Sequence, residues 1–298
     1  LRGSAFTTSD KTYFNIEPRI STRWLLNDQT SVKASYTIMN QYMHLLTSTG
    51  INLPTDLWVP ATAKVAPQRA FQYSLGIFKD LAQPHLSFSL EGYYKTMNNI
   101  ISYQEGASFM ELEDPFAPDP ELGQTFEDKV TSGEGYSYGA EFMVQKTKGK
   151  FHGWLSYTWS KTQYRFEEVN NGEWFYPRID RRHDLNIVGF YELTPKIRVN
   201  ALFTFATGNP LSLPQYEINA NGTPNASGNL LNNSNSYNYG TLYSERNDFR
   251  TEVYHRLDLG IQFIKEKKKG TRTWEISFYN VYNRKNPFFY NVDYDYNT

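Results

Sequence analysis

Side-chain character switches at every second residue over long stretches of this chain. Phe14, Ile16, Pro18, Ile20, Thr22 and Trp24 alternate with Asn15, Glu17, Arg19, Ser21 and Arg23. Leu155, Tyr157 and Trp159 alternate with Ser156, Thr158 and Ser160, and Leu257, Leu259, Ile261 and Phe263 with Asp258, Gly260 and Gln262. A period of two belongs to β-strands with unlike faces, and helical periodicity is scarce. Ten such segments stand near 12–25, 31–46, 70–79, 85–103, 136–146, 151–166, 179–192, 197–208, 252–265 and 272–290. Many exceed the usual strand of about 5–6 residues. Tilted strands that cross a bilayer need about 9–11 residues.

The connections carry a second signal. Short ones (Leu26–Thr30, Asp80–Pro84, Thr147–Lys150, Thr194–Lys196, Glu266–Thr271) alternate with long ones near 47–69, 104–135, 167–178 and 209–251. Tight turns at one edge and long loops at the other are the layout of an outer-membrane barrel. Lipid offers the backbone no hydrogen bonds, so the strands must pair fully and close. One face then meets hydrocarbon. The other carries Glu17, Arg19, Arg23, Glu91, Lys95, Glu141, Arg198, Arg256, Asp258 and Glu275, and lines a wet or plugged lumen.

Composition narrows the alternatives. Tyr 23, Phe 20 and Trp 6 make the chain 16% aromatic, which suits surfaces that meet both lipid and water. With no cysteine there is no disulfide framework, thiolate metal site or cysteine nucleophile. A net charge of −1 argues against a nucleic-acid partner. No apolar run is long enough for a transmembrane helix.

Seven short motifs stand in order along the chain. They are Leu53-Pro54-Thr55-Asp56-Leu57-Trp58-Val59-Pro60 with Pro67-Gln68, Tyr138-Gly139-Ala140-Glu141, Tyr157-Thr158-Trp159-Ser160 and Asp180-Arg181-Arg182-His183-Asp184-Leu185. Thr207-Gly208-Asn209-Pro210, Tyr254-His255-Arg256-Leu257-Asp258 and Asn280-Val281-Tyr282-Asn283 through Phe288 complete the series. Together they resemble TonB-dependent outer-membrane receptors of Bacteroidetes type, and the resemblance implies an all-β, antiparallel transmembrane barrel of about 22 strands around a plug. Residues 1–298 then form the C-terminal portion of one barrel domain, with about ten of its strands, no plug and no TonB box. It also implies the barrel wall of an active importer in the bacterial outer membrane, with the long loops outside the cell. The expected partners are the rest of the barrel and its plug, TonB acting through that plug, outer-membrane lipid, and a surface lipoprotein or other outer-membrane subunits. No cofactor and no metal are expected. The alternatives are a structural subunit of a larger outer-membrane complex and a ten-stranded omptin-like protease.

The candidate site residues fall in two groups. Trp58, Trp174, Tyr237, Tyr239 and Tyr243 lie in long loops and are candidates to face ligand, because aromatics stack on sugars and chelates. Loop 209–251 is equally the composition of a mobile loop. Asp180, Arg182, Asp184, Arg256 and Asp258 read as a lumenal charged patch, either gripping plug or ligand or forming an ion-pair lattice across about 9.6 Å of sheet. His183 and His255 take the outward parity at the outer rim, which suits interfacial anchors and opposes a protease role for Asp180, His183 and Asp184. The acidic stretch Glu105–Glu134 lacks the EF-hand spacing and reads as a solvated loop before it reads as a cation site. The lysines at 146–150 and 265–269 read as solvated periplasmic turns.

Overall fold

The computed structural model describes residues 2–8, 11–46, 57–104, 125–219, 239–243, 245–287 and 290. In chain order the strands are β1 (Arg2–Thr7), β2 (Thr12–Glu17), β3 (Arg19–Asn27), β4 (Thr30–Gln41), β5 (Met43–Leu46), β6 (Leu57–Pro60), β7 (Gln68–Leu81), β8 (Leu86–Tyr103) and β9 (Val130–Lys146). They continue with β10 (Phe151–Phe166), β11 (His183–Thr194), β12 (Ile197–Ala206), β13 (Pro210–Leu211), β14 (Pro214–Asn219), β15 (Tyr239–Tyr243), β16 (Phe249–Arg250), β17 (Tyr254–Lys267) and β18 (Gly270–Phe278). The all-β architecture expected from the alternation is what the chain adopts. Among the described residues no helix is long and apolar enough to cross a membrane.

One antiparallel sheet of ten strands dominates, in the order β18-β17-β12-β11-β10-β9-β8-β7-β4-β3. The small hairpins β1–β2, β5–β6, β13–β16 and β14–β15 rise from its outer edge. Among the described residues the sheet is open: β3 and β18 each pair on one side only.

The alternating pattern is realised as two unlike faces. Trp24, Leu75, Leu90, Ile187, Leu259 and Trp274 stand exposed on one face. Register aligns Tyr36, Tyr73, Tyr94 and Tyr138 in a row across β4, β7, β8 and β9 on that face, the height at which an aromatic belt meets the membrane interface.

Two expected strands are broken by local chemistry. Pro18 interrupts 12–25, because proline has no N–H to give the ladder. Residues Thr12–Glu17 pair instead with Arg2–Thr7, as the hairpin β1–β2. Segment 31–46 divides at Tyr42, and Met43–Leu46 pairs with Leu57–Pro60. The last segment, expected to reach 290, ends at Phe278, where Asn280 and Asn283 adopt positive φ of 53° and 52°. Asparagine tolerates this left-handed backbone better than most residues, and the chain turns there.

Among the described residues packed cores occur near the outer ends of the strands. One cluster joins Ala70, Met97, Ile100, Phe166, Val169 and Phe175. A second joins Leu46, Val59, Val65, Phe126 and Val130. A bulge lets β8 serve both. The register of β8 against β9 shifts between Asn98 and Ile100, and Asn99 sits at φ 56°. Met97 and Ile100 therefore share the lumenal parity with the first cluster, while Ile101 and Tyr103 turn outward to the second. The Asn99 side-chain amide donates to the carbonyl of Pro67 at 3.1 Å, which ties the bulge to the segment entering β7.

Candidate functional site

The lumenal wall is read most directly from its cross-strand rows. Arg23 pairs with Lys33, Lys33 with Gly76, Gly76 with Glu91, Glu91 with Glu141, Glu141 with Thr158 and Thr158 with Asp184. One row thus runs from two cations on β3 and β4 to three carboxylates on β8, β9 and β11. Gly76 leaves room for the Glu91 carboxylate, whose Oε2 lies 3.2 Å from where a glycine-replacing Cβ would stand. Among the described residues neither Glu91 nor Glu141 enters an ion pair. Like charges directly opposite on neighbouring strands repel, so this pair leaves a local negative field facing the lumen.

The charged patch divides into two groups at the outer rim. Asp180 precedes β11 and is 1% exposed. Its carboxylate accepts the backbone N–H of Thr162 at 2.7 Å, pairs with Arg182 at 3.5 Å and takes a hydrogen bond from Arg250. The Arg182 and Arg250 guanidiniums both lie over the Tyr176 ring, at 5.4 and 4.9 Å. Asp180 therefore joins β10, the 167–178 loop and β16. Asp184 accepts from the Asn186 amide at 2.6 Å and stands 3.9 Å from Arg181.

Arg256 and Asp258 form the other group. Arg256 Nε donates to Asp258 at 3.0 Å, and Nη1 donates to the hydroxyls of Tyr254 at 3.0 Å and Tyr279 at 2.5 Å. Asp258 accepts the backbone N–H of Asn280 at 2.8 Å and so fixes the turn that ends β18. Among the described residues no ion pair joins Asp180 or Asp184 to Arg256. Arg250, the third arm of the Asp180 group, was absent from the sequence candidates. It lies in a loop with no periodicity, and only the fold brings it to Asp180.

The two outer-rim histidines follow the lipid-facing parity and each meets a tyrosine. Tyr157 Oη lies 2.7 Å from His183 Nδ1, and Tyr282 Oη lies 2.7 Å from His255 Nδ1.

The aromatic loop candidates scatter. Trp58 is 55% exposed on β6 and stands opposite Leu45, beside the exposed Met43. The buried side of this hairpin, Leu46 and Val59, packs on the cluster that holds Val130 and the outward-turned Ile101 and Tyr103. Trp174 lies 5.0 Å from the ring of Tyr136, which stands two residues along β9 from the belt residue Tyr138. Tyr239 and Tyr243 begin and end β15, and Tyr237 lies outside the described residues. Most of the acidic stretch also lies outside them; its end is held by Lys64, which donates to Asp128 at 3.0 Å. The Thr125 backbone N–H and then Lys64 hold the Asp128 carboxyl below its usual range, and the same bond raises the Lys64 ammonium. His44, on the buried side of the β5–β6 hairpin, is 2% exposed, and neither ring nitrogen has a hydrogen-bond partner. Burial pushes its pKa below the ordinary histidine value, and the Ala66 backbone offsets this only in part. Among the described residues no cluster of three or more histidines and carboxylates is placed to hold a metal ion.

Solved structures with the same fold include a receptor of the outer membrane. The ferripyoverdine receptor of Pseudomonas aeruginosa matches with a TM-score of 0.56 at 15% identity, over 95% of this chain and 31% of its own. The FrpB iron transporter of Neisseria meningitidis matches at 0.54 and 12%, over 92% of this chain and 36% of its own. The ferric-catecholate import receptor Fiu of Escherichia coli K12 matches at 0.53 and 12%, over 92% and 32%. This chain therefore spans about a third of the length of the receptors it resembles. No curated protein matches it. The family model described as TonB dependent receptor-like, beta-barrel covers residues 1–284. That places the strands in the bacterial outer membrane and assigns the chain to receptors rather than proteases. With an open antiparallel sheet whose apolar face carries a tyrosine belt, and a family match over nearly its whole length, the chain belongs to the TonB-dependent receptor β-barrel family.

Proposed function

We propose that residues 1–298 are the C-terminal portion of the barrel wall of a TonB-dependent active importer of Bacteroidetes type, with the long loops facing the outside of the cell. The observation that carries this reading is the Glu91–Glu141 pair on an inner wall whose sheet is open at both edges. Unpaired strand edges cost several kcal/mol per unsatisfied group in lipid, so the rest of the barrel is the required partner at β3 and β18. Two facing carboxylates are stabilised by cations across the lumen, and a plug presenting arginine or lysine supplies them. TonB acts on the barrel through that plug. The Asp180 and Arg256 groups set the shape of the outer rim around the ligand, and Trp58, Trp174, Tyr237, Tyr239 and Tyr243 are its aromatic contact candidates. A surface lipoprotein or further outer-membrane subunits are proposed neighbours of the loops.

Two relatives of known structure are named for ferric chelates, ferripyoverdine and ferric catecholate, which makes such chelates the first substrates to test. The experiment is uptake of labelled ferric chelates, with glycans, peptides and cobalamin as parallel arms, by cells carrying the full-length receptor. The expected result is uptake of one class that is lost on deleting TonB or the plug. Uptake indifferent to both deletions overturns the importer reading. A parent chain without a plug favours the structural-subunit reading.

A further inference from the structure

The outward face of β7 to β10 changes in steps above the tyrosine belt. The next outward row reads Ile38, Phe71, Thr96, Tyr136 and Gln163. The row after it reads Asn40, Arg69, Asn98, Glu134 and Arg165. Four residues of strand separate the polar row from the tyrosines. That is about 13 Å along the strand, or roughly 10 Å of height at a typical barrel tilt. Hydrocarbon ends near the belt, so the polar row stands at headgroup depth.

A groove of about 860 Å³ opens at this row, lined by Arg69, Asn98, Ser132, Glu134, Arg165 and Glu167, among others. It lies next to the bulge at Asn99, which also lines it. The charges within it are unevenly matched. Arg165 donates to the Gly172 carbonyl at 3.0 Å and stands 3.9 Å from Glu134. Arg69 stacks on Phe71 at 5.0 Å, and among the described residues it meets no carboxylate or hydrogen-bond acceptor within bonding distance. An unpaired guanidinium beside a paired one, with amide, hydroxyl and carboxylate groups between them, suits a phosphorylated sugar better than a bare anion. The guanidiniums match phosphate oxygens, and the amides, hydroxyl and carboxylates match sugar hydroxyls.

We propose that this groove binds the phosphorylated sugar headgroup of an outer-leaflet glycolipid, with Arg69 as its principal phosphate contact. The groove opens on the lipid side of the wall. The inference therefore rests on the chain's place in the outer membrane and is independent of what the receptor imports. It also gives the polar row a function separate from the lumen.

The test uses the full-length receptor, delipidated in mild detergent and followed by native mass spectrometry. Diphosphorylated lipid A, the same lipid without phosphates, and inorganic phosphate are added separately. Wild-type receptor retains the phosphorylated lipid, and R69Q lowers its affinity about tenfold, the scale of one lost charge-assisted bond. R69K falls between them. The phosphate-free lipid binds wild type and R69Q alike. The heat-modifiable gel shift reports the fold of each variant, and R272Q at a periplasmic turn is the control. If R69Q fails to fold, the wild-type preference for the phosphorylated over the phosphate-free lipid decides the matter. Equal retention by wild type and folded R69Q overturns the proposal. So does equal affinity for the two lipids, or binding of inorganic phosphate alone.

Discussion

Glu91 on β8 and Glu141 on β9 stand directly opposite each other on the lumenal face, and among the described residues neither enters an ion pair. Their effect on stability should change sign with the occupant of the lumen. In a barrel expressed without its plug, E141Q relieves repulsion and stabilises by about 0.5 kcal/mol. In the intact receptor the same change removes an attraction and loosens the plug by a similar amount. Urea titration of plug release, compared with heat-modifiability of the plug-less barrel, measures both arms. A change of the same sign in both would show that no cation faces the pair.

Asp180 is the buried member of a cluster with two arginines, so removing its charge leaves both short of a partner. D180N should cost about 3 kcal/mol locally, the scale of breaking a buried pair. Loss of hydrogen-exchange protection should concentrate at Thr162, whose N–H bonds the carboxylate, and around Arg250. Protection across β7 and β8 should stay unchanged.

The bulge at Asn99 requires a left-handed residue at φ 56° and uses its side chain to reach Pro67. N99A meets the cost of left-handed backbone, about 1–2 kcal/mol, and loses that hydrogen bond as well. N99G loses the hydrogen bond alone and should be the milder change. Limited proteolysis at the segment entering β7 distinguishes the two. Equal cutting of both variants would show that the backbone conformation is not what holds this region.

His44 is buried without a hydrogen bond, and burial lowers its pKa from the ordinary value of 6.5. Its neutral form is the one the fold accommodates. The stability it protects is complete above about pH 6.5 and falls as pH drops below that value, because the opened hairpin takes up the proton first. The protection factors of the Met43–Leu46 and Leu57–Pro60 amides against hydrogen exchange, corrected for the intrinsic rate at each pH, should therefore fall below pH 6.5. H44F should flatten the pH dependence.

The period-two pattern disclosed the large sheet and its two faces because lipid on one side and water on the other impose a strict alternation. It disclosed the outer hairpins poorly. Pro18 and Tyr42 divide stretches that keep alternating across the break, so the pattern ran through them although the pairing did not. The pattern placed Arg256 and Asp258 on one face, and they pair at 2.9 Å. It gave no access to Arg250, which reaches Asp180 from 70 residues away by loop packing alone. Nor did parity show which side of the wall a loop aromatic takes. Trp58 depends on a bulge at Asn99 that the sequence marks only as two adjacent asparagines.

Each ladder of the main sheet joins barrel strands that follow one another along the chain, from β3 through to β18. Such a wall can be laid down one ribbon at a time. Each new ribbon finds its template on the free margin left by the one before, and the intervening loops add little closure entropy because that cost grows only logarithmically with length. During insertion the growing margin is also the most adhesive part of the molecule. Biogenesis must therefore hand it from one ribbon to the next without exposing it to a stranger.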